Sequence, residues 1–304
     1  MFKALSVLFS MTNKHIHYPH YVAPSFNHWA SYYGKTYTAS EYDYRNTIFN
    51  TNVRRIYEHN LAASLMDPPG WTMTVNKFAD LTPSEFKRLY MNYTESRSNS
   101  TFTVPVSALP AEVDWTDKGV VTPVKDGKHG WAFSATGAME GAWAISKKQL
   151  FNLSEQELVD CSQGSPFQYV IDNGLGTNSE YPYTGLQSSC KSESSIMTIS
   201  GVYSVPSSEE ALLAAIVQQP VSVAVDAQHF QFYSGGVMNS PCGTALDHGV
   251  LAVGYGTIAG QDYYKVKNSW GADWGANGYM LLGRGNFGAK GQCGIQMNAS
   301  FPLV

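Results

Sequence analysis

The feature that most restricts this chain is a helix with no face suited to water. From Trp131 to about Lys147 the sequence carries apolar or small residues nearly all round, which predicts a helix enclosed by the rest of the fold. Ala135, Ala138 and Gly141 would let neighbouring elements come close to its backbone. Ahead of it runs Val124-Lys125-Asp126-Gly127-Lys128-His129-Gly130, a glycine-punctuated loop that delivers the helix N-terminus. Free N–H groups and the positive end of the helix dipole gather at such a junction and favour an anion. A thiolate is the anion best known to be activated there.

With 304 residues, 43% of them hydrophobic, the chain is long enough for a propeptide plus one bilobed body with a sizeable core. A formal charge of −4 gives no basic footprint for nucleic acid and no polybasic membrane patch. No apolar run approaches the length of a membrane span. Lys3 followed by Ala4-Leu5-Ser6-Val7-Leu8-Phe9-Ser10-Met11 reads as a short signal peptide, within a leader over residues 1–20. Cys161, Cys190, Cys242 and Cys293 are even in number, which fits an oxidising compartment and leaves three pairings open. His15, His17 and His20 lie close together, but no further ligands follow at useful spacing, so they read as a solvated linker. No metal or cofactor is expected.

Local signals divide the chain. Thr38 with Glu41 forms a capping box, and the helix it opens places Glu41, Arg45, Ile48, Phe49, Asn52, Ile56 and Asn60 on one face. Glu41 and Arg45 are expected to pair at i,i+4. Thr82-Pro83-Ser84-Glu85 caps another helix, with Pro83 at its first position. Tyr90 to Val106 is rich in Ser, Thr and Asn and predicts an exposed connector, with glycosylation sequons at Asn92 and Asn99. Ser154 with Glu157 opens a helix ending near Cys161, which makes the sequon at Asn152 a poor acceptor. Ser207 to Val217 reads as a short helix capped by Ser207 and Glu210. Beyond Pro220 the pattern turns to strand at Val221–Val225, His248–Tyr255 and Tyr263–Asn268. Pairing the last two antiparallel about residue 258 sets His248 opposite Asn268, an imidazole beside an amide.

From about Phe26 to Val304 these segments resemble the papain family of cysteine peptidases of the cathepsin L-like kind. Glu41, Arg45, Phe49, Asn52, Ile56 and Asn60 resemble the ERFNIN signature of its propeptides. Asn76-Lys77-Phe78-Ala79-Asp80 resembles the second propeptide motif, with Thr74 where a glycine is usual. Leu109 to Trp115 resembles the start of the mature body. Leu246-Asp247-His248-Gly249-Val250, Lys267-Asn268-Ser269-Trp270-Gly271 and Cys293-Gly294-Ile295 resemble later family segments. The resemblance implies an α+β fold of two lobes, one helical and one like a β-barrel, over residues 108–304. A small helical inhibitory propeptide over 24–106 would precede it and lie in the cleft. It implies His248 as general base and acid, Asn268 as the residue orienting its ring, and Trp270 as the shield of that hydrogen bond. It also implies disulfides Cys161–Cys190 and Cys242–Cys293, and peptide contacts from Asp247 and from Asn298 at the floor of a specificity pocket. Polypeptides would be the substrates or ligands of a monomer in the secretory pathway, lysosomal or vacuolar, or outside the cell.

Two departures cut against that activity. The family's nucleophile run is Cys-Gly-Ser/Ala-Cys-Trp/Tyr; here Lys128-His129-Gly130-Trp131 stands in its place. Gly130 occupies the nucleophile's position, the loop is shorter by roughly three residues than that pattern, and the glutamine of the oxyanion hole is missing. Between Cys161 and Phe167 only Ser162-Gln163-Gly164-Ser165-Pro166 remains, without the family's Cys-Asn-Gly-Gly run. Both halves of one bridge are thus absent together. Deleting a hydrolytic nucleophile costs about 10⁶-fold in rate, and an independent oxyanion donor a further ~10²–10³. Three readings compete: a pseudo-peptidase with its propeptide retained; an active endopeptidase whose gene model or splicing has lost short segments; and a propeptide that inhibits related peptidases in trans.

Overall fold

The structure is a computed structural model and describes residues 17–18, 21–93, 100–105, 108–191, 195–240 and 242–304. Of the leader only residues 17–18 are described; the apolar run at 4–11, His15, His20 and Asn99 lie outside the described residues.

The N-terminal part begins with two short strands, β1 (His17–Tyr18) and β2 (Tyr21–Val22), then α1 (Phe26–Tyr32) and the long α2 (Ala39–Ser64). β3 (Thr72–Met73) and α3 (Pro83–Tyr90) follow. The capping boxes at Thr38 and Thr82 are both formed. The Glu41–Arg45 pair is not the one the fold uses. Glu41 turns back to its cap, accepting from the Thr38 backbone and hydroxyl. Arg45 reaches across to Glu85 of α3 at 2.9 Å and to the Asp80 carbonyl. A less exposed carboxylate on a packed neighbour outcompetes one in the helix's own solvated first turn, where such pairs contribute little.

The body opens with β4 (Val113–Asp114) and α4 (Gly130–Lys147), then α5 (Glu155–Cys161) and α6 (Pro166–Asn173). β5 (Gly201–Val205), α7 (Glu209–Gln218), β6 (Val221–Val225), β7 (Tyr233–Gly235) and β8 (Val237–Met238) come next. β9 (His248–Ile258), β10 (Gln261–Lys267), β11 (Tyr279–Gly283) and β12 (Ala299–Leu303) complete it. One sheet runs β5-β12-β6-β9-β10-β11-β8, with β4 also on β9.

α4 is enclosed as its composition requires. A Cβ at Gly137 would meet the Leu251 side chain at 2.8 Å, and one at Gly141 the Pro220 ring at 2.7 Å. Only glycine lets β9 and the start of β6 lie that close. Ala132, Ala135, Ala138 and Met139 join Leu158 and Phe167 in a helical-lobe core that also takes Leu251 and Val253 from β9. A second core is shared between the N-terminal part and the sheet: Trp29, Phe49, Phe78 and Phe86 pack into one cluster with Val225 and Trp270.

Three local expectations need correction. The β9–β10 hairpin turns on Ala259-Gly260, both with positive φ, rather than about residue 258; Tyr263 pairs with Gly256 and Lys267 with Leu251 across a bulge at Lys265/Val266. Two left-handed residues make a tight loop whose twist matches its strands, so the strands run nearer the turn than alternation indicated. α7 is capped by Ser208, whose hydroxyl accepts from Ala211 N–H, while Ser207 donates to the Ala289 carbonyl. At α5 the Ser154 hydroxyl caps Glu157 N–H, but the Glu157 carboxylate accepts from Tyr169 and Gly176 instead of closing a box.

Candidate active site

His248 and Asn268 are not opposite residues of the ladder, since the β9–β10 ladder ends at Leu251–Lys267 and His248 pairs with Val225 of β6. Their side chains meet regardless, with His248 Nε2 2.8 Å from Asn268 Oδ1. An amide oxygen only accepts, so the proton sits on Nε2 and Nδ1 carries the lone pair. Asn268 Oδ1 also accepts from Ser269 N–H at 2.8 Å, which fixes the amide. Trp270 stacks over the imidazole with ring centroids 4.7 Å apart, and Trp274 meets Trp270 edge-on. His248 is only 1% exposed. Burial pulls its pKa down to about 4, against the opposing pull of the Asn268 bond, the Asp247 charge and the Tyr90 carbonyl. The ring is neutral at ordinary pH.

Gly130 is the first residue of α4 and lies against that ring. A Cβ at this position would stand 2.5 Å from His248 Nδ1 and 2.7 Å from the Gly249 carbonyl oxygen. The imidazole thus fills the space that any side chain at residue 130 would need. All four cysteines are tied up in Cys161–Cys190 and Cys242–Cys293, so no thiol faces His248. The loop before Gly130 is pinned instead by Tyr183, whose hydroxyl accepts from Lys128 N–H and bonds His129 Nδ1.

Behind the pair lies a buried ionic cluster that sequence reasoning missed. Lys125 Nζ contacts Glu140 at 2.8 Å and Glu155 at 2.6 Å; Thr122 and Thr136 add a hydroxyl to each carboxylate. Lys267 donates to the Thr122 carbonyl. Burial would raise Glu140, but the ammoniums of Lys125 and Lys267 hold it below the usual carboxylate range. Burial together with Glu140's charge pushes Glu155 up, and burial pulls Lys267 down to about 8. The available signal was Glu140 itself, a carboxylate on a helix with no wet face.

Asn298 lines a pocket with Trp131, Pro166, Phe167 and Ser222, and Tyr93 from the N-terminal part lines it too. Asp247 accepts from Ala227 N–H and pairs with Lys87 at 3.0 Å, while its carbonyl accepts from Tyr93 N–H. Lys77 sits between Asp126 at 2.5 Å and Asp273 at 3.5 Å. Phe78, Phe86 and Tyr90 ring Trp270, the nearest centroid at 5.0 Å. Asn76 donates to the Gln231 carbonyl, and Gln231 returns bonds to the carbonyls of Phe78 and Leu81. Asn52 and Asn60 hold the connecting loop through Ala79, Leu81 and Met73; Ile56 and Phe49 are buried beneath it. Asp80 ties Lys35 and Tyr37.

A two-lobed α+β body with an imidazole–amide pair at the lobe junction, and a helical N-terminal part laid across it, defines a papain-type zymogen architecture. Residues 109–303 match the papain family cysteine protease pattern and residues 26–86 the cathepsin propeptide inhibitor domain (I29); the chain belongs to the papain family. It is 42% identical over 307 residues to the senescence-specific cysteine protease SAG39 of Oryza sativa subsp. japonica, covering 91% of this chain and 88% of that one. It is 41% identical over 307 residues to the cysteine protease XCP2 of Arabidopsis thaliana, covering 91% and 85%. Among solved structures it is similar to the recombinant stem bromelain precursor, with a TM-score of 0.85 at 36% identity over 92% of this chain and 97% of that one. It is also similar to digestive procathepsin L 3 of the Tenebrio molitor larval midgut, with a TM-score of 0.84 at 36% identity over 91% and 97%.

Proposed function

We propose that this chain is a papain-family zymogen without peptidase turnover, which keeps its prodomain over the cleft and acts by binding rather than cutting polypeptides. The observation that carries the reading is Gly130, which we take as the nucleophile's position: it has no side chain, and the His248 ring stands where one would go. The remaining machinery supports a vestigial assignment. On this reading His248 is the vestige of a general base, Asn268 the residue that orients it and Trp270 the shield of their bond, while Asp247 and Asn298 are the vestiges of peptide contacts. Acyl-enzyme chemistry needs an atom able to attack a carbonyl and leave as a thiolate or alkoxide. Glycine supplies none.

Without turnover the prodomain has no route to removal by the chain's own chemistry, and its side chains hold the cleft at Asp247, Trp270 and the Asn298 pocket. Two disulfides fit an oxidising compartment. A KDEL-tailed cysteine endopeptidase of Arabidopsis thaliana, 38% identical over 328 residues, supports the secretory pathway, since such tails are read there.

The test is direct. The full chain, incubated at acid pH, is exposed to a thiol-directed peptide epoxide and to a fluorogenic peptide. No adduct and no hydrolysis above background are expected; stoichiometric labelling would end the proposal.

A further inference from the structure

The amide that orients His248 has a second end. Asn268 Oδ1 is committed to His248 Nε2–H and to Ser269 N–H, so Nδ2 points the other way with two hydrogens to donate. It has no protein acceptor, although it is buried. Glu155 Oε2 and Ser269 Oγ are among the other buried atoms in that state. Asn268, Glu155 and Ser269 all line one cavity, of about 20 Å³, which also borders Lys125 and Glu140. In that measure one water takes roughly 10–15 Å³ and makes about three hydrogen bonds.

The donors and acceptors are complementary. In the carboxylate form held by the Lys125 ammonium, Glu155 Oε1 is saturated by Lys125 at 2.6 Å and the Thr136 hydroxyl at 2.7 Å, leaving Oε2 as an acceptor. Asn268 Nδ2 is a pure donor, and the Ser269 hydroxyl serves as either. We propose that a single ordered water in this cavity accepts from Asn268 Nδ2–H, donates to Glu155 Oε2 and exchanges a third bond with Ser269. Glu155 becomes a positioning residue, acting on the imidazole through the water and the Asn268 amide. Glu140 is the built-in control. It belongs to the same ionic cluster, but both its oxygens already have protein partners in Lys125, Leu153 N–H and Thr122.

The experiment uses the full chain labelled with ¹⁵N. A long-lived water should give a cross-relaxation peak to the Asn268 side-chain amide, and a high-resolution crystal structure should show density between the three atoms. In Glu155→Gln the amide oxygen stays with Lys125 and Thr136, so its NH₂ faces the cavity and the water meets two donors. The Asn268 amide signal should then shift, and the share of His248 protonated at Nε2 should fall. Glu140→Gln should lower the melting temperature while leaving the His248 ring signals in place. Ser269→Ala, which keeps the ionic cluster whole, should weaken the water peak. The proposal is overturned if no water signal reaches Asn268, or if Glu155→Gln and Glu140→Gln move the His248 resonances equally.

Discussion

At the scale of single residues, His248 and Gly130 decide each other. The ring occupies the space glycine leaves, and burial holds its pKa at about 4, below the ordinary 6.5. The sign follows from linkage: as pH falls, the unfolded chain takes up the proton first, so the contribution is fully present above pH 6.5. It is lost progressively between about 6.5 and 4, to the extent of about 3 kcal/mol. Urea melts across that window should show the decline, and His248→Asn should flatten it; an unchanged slope in the variant would place the effect elsewhere. Gly130→Cys restores a thiol but puts its Cβ against the ring. It should cost about 1–3 kcal/mol of stability through overpacking. Its kcat/KM should remain at least ~10²-fold below that of an active relative, because on the proposed reading the substitution restores no oxyanion-hole glutamine. Thermal melts and a fluorogenic peptide assay check both halves. These two residues were legible in the chain as a motif and a gap. Their contact was not, because it depends on how close β9 comes to the first turn of α4.

At the scale of elements, α3 is the piece that seals the site. Its N-terminal capping box and Pro83 fix where it starts, and its inward face brings Phe86 against Trp270 at 5.0 Å and against Phe78 at 5.0 Å. Phe86 is 1% exposed, so Phe86→Ala should cost about 3–5 kcal/mol. Trp270 should become wetter, read as a red shift in tryptophan emission on a lowered melting temperature. Most helices and the three central strands β6, β9 and β10 were readable from caps and alternation, whereas α6 and the outer strands were not. Their partners were less so. Arg45 chose Glu85 over Glu41 because tertiary packing brought a better-sheltered carboxylate within 2.9 Å. The β9–β10 register followed the two left-handed residues at its tip rather than the hydrophobic pattern.

At the scale of the whole molecule, the prodomain and the body share one hydrophobic core, in which Trp29, Phe49 and Phe78 pack with Val225 and Trp270. A shared core couples the stability of its two halves, so the full chain should unfold in one cooperative calorimetric transition. Two separated transitions, with the prodomain melting first, would show that the docking is too weak to join them. One transition also fits a zymogen that is never converted.

The chain by itself determined a buried helix, capped helices, three central strands of the sheet (β6, β9 and β10) and family membership, because each is written in local periodicity or a short motif. Tertiary structure alone decided that the imidazole settles against Gly130, that Lys125, Glu140 and Glu155 meet beneath it, and that prodomain aromatics close over Trp270. Those outcomes join residues far apart in the chain, and only the packing of one element on another sets their distances.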